Sequence, residues 1–583
     1  MRPHLYALGA VLLSITAALP AIAQDLKEVP RNRTLVAQGW DYYNQVPAPT
    51  NYNPYIGPLQ NIRNVLHYTV NEALFFTNHQ TNEIIPWIAE SFTYNDALDE
   101  VTLKIRSGVK WSDGEPLTAE DVAFTFNMLK EAAPDLSLSS NIKEWVASAE
   151  ATDPNTVVLK LNKPGPRWAQ DTLATGQVDR FAVVPKHIWE GKDPKTFNNF
   201  DLAEGWPVGT GPFKLVKSDE TSAVFDRLDS WWALDAGVAK AMPAMERIVY
   251  RPATADAMTQ LFANNEIDIG RALNVGNLEA AMARNPNIVS WNESGPVWGT
   301  SAGCTWRVVF NNQVAPFDNA DVRKAIASVF DREELADLAF EGSQPPAVLP
   351  FASYPGLGAY TDQLQDLVTE SGIGEQDLAR TEELLTKAGF SKDASGKWQL
   401  PGNKPWPITI TSQQGTALPP VIASQLQSAG FDAVFKSSQD AAYFDALSTG
   451  DFEAAVATEC GSLYDPWQTL VHMHSKFAPP PGQKTVDVRS ISRYSNPEFD
   501  ALLNKMEARR PSADDAEYMD LVKAATKILL ADMPQVTLIE ELHAITFNTT
   551  YWTGFPNAKD PYAAPFVAWN GFALVRDHLK PRE

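Results

Sequence analysis

A few short stretches of this chain carry residues that could do chemistry. Gly299-Thr300-Ser301-Ala302-Gly303 has the G-x-S-x-G spacing of a hydrolase nucleophile elbow, where a serine on a tight strand-to-helix turn attacks an acyl carbon. The residues that follow, Trp306 to Phe310, read as a strand, so the elbow lacks its helix and no catalytic role is assigned. His472-Met473-His474 offers two imidazoles, which make at most half of a metal's ligand set, so neither a metal nor another cofactor is expected. Gly209-Thr210-Gly211-Pro212 is glycine-rich but lacks the spacing and the lysine of a phosphate loop, and reads as a structural turn. The chain reads as a binder and not as an enzyme.

The 2 cysteines, Cys304 and Cys460, take their meaning from the N-terminus. Arg2, an apolar run from Leu5 to Ala21 and the exit Ala21-Ile22-Ala23 describe an export signal over residues 1–23, cleaved after Ala23. The mature protein is therefore expected outside the cytoplasm, most simply in the periplasm, where two lone thiols oxidise to one disulfide. That bridge would close a loop of 156 residues, worth on the order of 5 kcal/mol in the chain-entropy model. A formal charge of −23 argues against nucleic acid and anionic lipid as partners, since both would be repelled.

The elements that must position these residues are mixed. Val101-Thr102-Leu103-Lys104-Ile105 and Val157-Val158-Leu159-Lys160-Leu161 alternate apolar and polar residues, and so predict strands. Thr118-Ala119-Glu120-Asp121 opens a helix as a capping box. Helical apolar spacing runs from Met519 to Leu530, with a strand predicted from Gln535 to Ile539. Ala478-Pro479-Pro480-Pro481-Gly482 is a surface loop. At 583 residues the chain outgrows a single core, which predicts an α/β protein of two lobes.

Three stretches, in order along the chain, carry a family resemblance: Gly108-Val109-Lys110-Trp111-Ser112-Asp113-Gly114-Glu115-Pro116-Leu117-Thr118, Pro207-Val208-Gly209-Thr210-Gly211-Pro212-Phe213, and Phe310-Asn311-Asn312-Gln313 through Asp321-Val322-Arg323-Lys324-Ala325-Ile326. Together they resemble the large solute-binding proteins of ABC importers that take up oligopeptides, dipeptides, nickel, opines and oligosaccharides. The resemblance implies a two-lobed periplasmic binding protein (type II, with an extra subdomain in lobe I) that holds a solute between its lobes. Lobe I would comprise residues 24–303, with the extra subdomain at about 70–190, and again 546–583. Lobe II would span 304–545. The partners implied are a small solute and an inner-membrane permease; the protein itself is expected to act as a monomer.

In peptide-binding members of that family an acidic residue two positions after the second cysteine holds the peptide's amino group; here that position is Ser462. A neutral hydroxyl suits a neutral ligand, and indoles can cover sugar rings, so the expected solute is an oligosaccharide or glycoside, with an oligopeptide, dipeptide or opine-type conjugate as the alternative. The residues expected at the cleft are Trp40, Asn53, Trp298, Trp306, Arg307, Glu459, Ser462, Tyr464, Asp465 and Trp467. Arg307 is read either as a contact or as a salt-bridged strand residue, and Glu459 or Asp465 as a substitute acid.

Overall fold

One strand belongs to both halves of the molecule. Gln535–Asn548 pairs antiparallel with Thr300–Phe310 from Gln535 to His543, then with Ile269–Ala272 from Ala544 to Phe547. In the computed structural model, which describes residues 26–38, 46, 48–56, 66, 69–174, 181–272, 274–485, 490–566 and 571–583, this strand lies in the middle of an 11-stranded sheet. Residues 1–23 and Trp40 lie outside the described residues.

Away from that strand the sheet divides into two α/β lobes. On one side stand Thr300–Phe310, Ala454–Cys460, Pro407–Gln413 and the edge strand Asp432–Ser438. Their apolar residues Val308, Val456, Ile408 and Ile410 pack on Ile326 and Ile422 of the helices Ala320–Ala327 and Leu418–Ser428. On the other side stand Ile269–Ala272, Thr34–Ala37, Arg247–Tyr250, Ser222–Arg227 and Phe213–Asp219, with Leu35, Ile248, Phe225 and Ile269 in a second core.

A separate sheet of four antiparallel strands runs Ala89–Tyr94, Glu100–Ile105, Thr156–Leu161, Val146–Asp153. The predicted alternation is realised here: Val101 faces Leu159 and Leu103 faces Val157, and all four are buried against the helix Ala119–Ala132. That helix begins with the capping box, Thr118 Oγ1 accepting from the Glu120 amide at 3.3 Å and Asp121 Oδ2 from the Thr118 amide at 2.8 Å. The helix Ala516–Asp532 covers the predicted one and buries Met519, Val522, Ala525 and Leu529. Gly209 and Gly211 form the expected turn. A Cβ on either would come within 2.1 and 2.2 Å of the carbonyl oxygens of Val70 and Thr69, so only glycine fits this close approach of two backbones.

The strand Gln535–Asn548 is much longer than the sequence predicts. Glu540, Glu541 and His543 interrupt its apolar run, and the ladder continues through them, with Arg271 of the neighbouring strand meeting Glu541, which in turn meets His543.

Candidate functional site

The lobe junction is built on Cys304 and Cys460, which face each other on adjacent strands and are joined in a disulfide with their Cα atoms 4.3 Å apart. The next strand places Glu541 opposite Cys304, with a carboxylate oxygen within 4.8 Å of both sulfurs. Glu541 Oε1 accepts from Arg271 Nη2 at 3.3 Å and pairs with His543 Nε2 at 2.9 Å. Both bonds land on one oxygen and leave the other without a hydrogen bond among the described residues. Burial raises the Glu541 pKa, but His543 and Arg271 outweigh it and hold the carboxyl down at about 2. Burial and the Arg271 charge push His543 down to about 4. His543 is thus neutral at pH 7, and the pull that keeps Glu541 ionised there comes from Arg271. The product is a fixed anion beside the disulfide. Its sulfurs are bonded to each other and are not thiolate ligands.

Three residues along its strand from Cys304, Arg307 donates to Glu459 Oε2 and Gln535 Oε1, and Glu459 Oε1 meets His472 Nδ1 at 2.7 Å. Arg307 and Glu459 side chains are 1% and 0% exposed, so the structure takes the salt-bridge reading of Arg307 and leaves Glu459 no room to act as a substitute acid. His474 turns to Asn504 and Asp500 instead, so the histidines serve different partners.

Ser462 is wholly buried and its hydroxyl is engaged inside its own loop, which tells against the expected solute contact. Its hydroxyl donates to Pro466 O at 3.0 Å and accepts the Thr469 amide at 2.9 Å, while Thr469 Oγ1 accepts the Ser462 amide at 3.0 Å. The exchange staples the loop to the short helix Trp467–Leu470. The same tells against Asp465: Oδ2 accepts from Arg167 at 2.5 Å and Oδ1 from the Tyr518 hydroxyl at 2.6 Å. The Tyr464 hydroxyl reaches Asp171, and Trp467 lies under the Arg167 guanidinium while its Nε1 donates to Leu503 O at 3.0 Å. Asn53 is buried and donates to the carbonyls of Pro194 and Phe197 at 2.7 and 2.9 Å, tying two loops. Trp306 leans on Phe340 with ring centroids 6.1 Å apart. Trp298 borders a small crevice of about 40 Å³ with Arg271, Gln344 and Leu542.

Sequence reasoning missed Arg167, Asp171, Tyr518, Glu541, Arg271 and His543. A usable signal existed for two pairs: Arg167 and Asp171 stand four residues apart, and Glu540-Glu541 are charges inside an apolar strand run.

Comparison with known proteins agrees with this architecture. A family model described as bacterial extracellular solute-binding proteins, family 5, matches residues 83–479. A probable peptide-binding protein, YejA, of Agrobacterium fabrum is 24% identical over 81% of this chain and 81% of its own. A putative ABC transporter peptide-binding protein of Brucella melitensis is 24% identical over 86% of this chain and 88% of its own. Among solved structures, the periplasmic oligopeptide-binding protein of Thermotoga maritima superposes with a TM-score of 0.80 at 25% identity, covering 95% of this chain and 100% of that one. The same protein bound to mannohexaose gives a TM-score of 0.76, and that ligand is a property of that protein.

These findings overturn the expectation of an oligosaccharide. Its supports in this chain were the free hydroxyl of Ser462 and the sugar-stacking indoles. The hydroxyl is consumed inside its own loop, and Trp467 already stacks on Arg167. The two curated relatives are named for peptides. Ser301, too, is buried within a strand opposite Leu542, which is no place for a nucleophile elbow. The chain belongs to family 5 of the bacterial extracellular solute-binding proteins, two-lobed, non-catalytic receptors that serve an inner-membrane ABC permease.

Proposed function

We propose that this protein is a periplasmic peptide receptor of an ABC importer, taking a dipeptide or oligopeptide between its lobes and passing it to the permease. The observation that carries this reading is the 24% identity, over 81% of the chain, to a protein named for peptide binding. In this reading residues 1–23 are removed after Ala23, residues 24–303 and 546–583 form one lobe, and 304–545 form the other. The solute acts by population shift: a peptide touching both lobes favours the closed form by its differential affinity for it.

A peptide's ammonium needs an anion, because burying an unpaired charge costs several kcal/mol or more. With Ser462 neutral and both Glu459 and Asp465 committed elsewhere, we assign that role to Glu541, whose second oxygen is open and which stays ionised. The test is a thermal-shift series with di- to pentapeptides, each with a free and an acetylated N-terminus. At about 100 times its dissociation constant a peptide stabilises by roughly 2.7 kcal/mol, a readable rise in midpoint. Free-amine peptides are expected to raise it far more than acetylated ones, with Glu541→Gln removing the difference. A panel that moves the midpoint with no peptide at all would end the peptide reading.

A further inference from the structure

Arg167 belongs to the four-stranded unit, since its neighbours Trp168, Ala169 and Leu173 lie in that unit's core. Its guanidinium reaches out of the unit. Nη2 meets Asp465 Oδ2 at 2.5 Å, Nη1 donates to the Tyr518 hydroxyl at 3.1 Å, and the planar group stacks 4.1 Å from the Trp467 ring. Nε holds Asp171 at 2.7 Å, and the Tyr464 hydroxyl crosses to the other oxygen of Asp171. Tyr518 closes the circuit by donating to Asp465. Asp171 comes from the same unit as Arg167; Tyr464, Asp465, Trp467 and Tyr518 come from the segment 304–545, whose helix Ala516–Asp532 packs on Ala320–Ala327 while its Tyr518 joins the apolar core of Leu35 and Ile248 at the seam.

We propose that Arg167 is the pin of a clasp between the lobes, and that this clasp, built wholly from the chain's own groups, favours the closed form independently of the solute. The rim of the same seam carries ordinary solvated contacts, such as Lys163 to Glu507 at 3.1 Å with the lysine 41% exposed, and pairs of that kind contribute at most about 1 kcal/mol. The Arg167 and Asp465 side chains are instead 1% and 0% exposed. Burying an ion pair repays its desolvation only where further contacts satisfy both partners, and here Tyr518, Asp171 and the Trp467 face supply them. Removing one partner is different in kind. It leaves the other charge dry and unpaired in the closed form and hydrated in the open one, which drives the lobes apart. The inference rests on the two-lobed fold and not on the solute being a peptide.

The test is small-angle scattering of protein freed of co-purified solute by unfolding and refolding. The wild type should divide between closed and open particles with the closed form in excess, leaving the solute a remainder to shift. Arg167→Met should shift the open-to-closed ratio by on the order of a hundredfold toward open, as expected for breaking a buried pair. Tyr464→Phe keeps the ion pair, removes one hydrogen bond and should shift the ratio about fivefold, which covers the case that Arg167→Met does not fold. A wild type that is already open, or a folded variant whose profile superposes on a closed wild type, overturns the clasp. Neither outcome depends on the peptide series.

Discussion

Arg307 and Arg167 are both buried, and both hold a carboxylate, yet their surroundings differ in one decisive way. Arg307 meets Glu459 from the adjacent strand and Gln535 from the strand on its other side, so both of these partners belong to its own sheet. Arg167 meets Asp465, Tyr518 and Trp467 across the seam between two packed units. The same guanidinium chemistry therefore has two meanings: within a sheet it stabilises a lobe, and across a seam it sets the balance between two arrangements of lobes. A buried charge should be read by asking which of its partners travel with it.

The contrast can be broken most forcefully at Glu459. Glu459→Leu leaves Arg307 buried without its carboxylate and should cost about 3–5 kcal/mol, read as a lower urea midpoint. The scattering profile should stay closed, and an opened profile would erase the distinction. The second handle is pH. His543 has a folded pKa of about 4 against 6.5 unfolded, so as pH falls from 6.5 to 4 the unfolded chain takes up a proton that the folded one refuses. Stability falls through that window, by up to roughly 3 kcal/mol. Urea midpoints at pH 7 and 4.5 measure it, and a His543→Gln variant with an unchanged slope would remove His543 as the cause. The smallest effect is expected at Ser462. Ser462→Ala removes the two bonds of the hydroxyl, while the Thr469 amide and the Pro466 carbonyl keep their bond to each other, so the loss is about 1 kcal/mol. Peptide discrimination should be untouched; a change in it would return Ser462 to the solute.

What could be read in advance follows a physical divide. The strands at Val101 and Val157 and the capping box at Thr118 are local patterns, and each was legible because the period or the spacing alone decides it. The disulfide was legible from compartment and count. The roles of Tyr464, Asp465 and Trp467 were not, because their partners Arg167 and Asp171 lie about 300 residues away, at separations of 298 and 293 for the Asp465 and Tyr464 contacts. Glu541 escaped notice for a related reason. A carboxylate inside a strand looks like a break in the pattern until Arg271, 270 residues earlier, is seen to hold it. Ser462 misled in the opposite way: position relative to Cys460 suggested a ligand group, while its hydroxyl answers to backbone groups a few residues on.

The register between Thr300–Phe310 and Gln535–Asn548 slips between Ser301 and Cys304, and Gly303, with φ +74°, sits at the slip. On one side of it the disulfide splints two strands together; on the other the ladder passes into the second lobe. The same ladder slips again between Trp306 and Arg307, so the disulfide braces a short stretch of strand held between two irregular points.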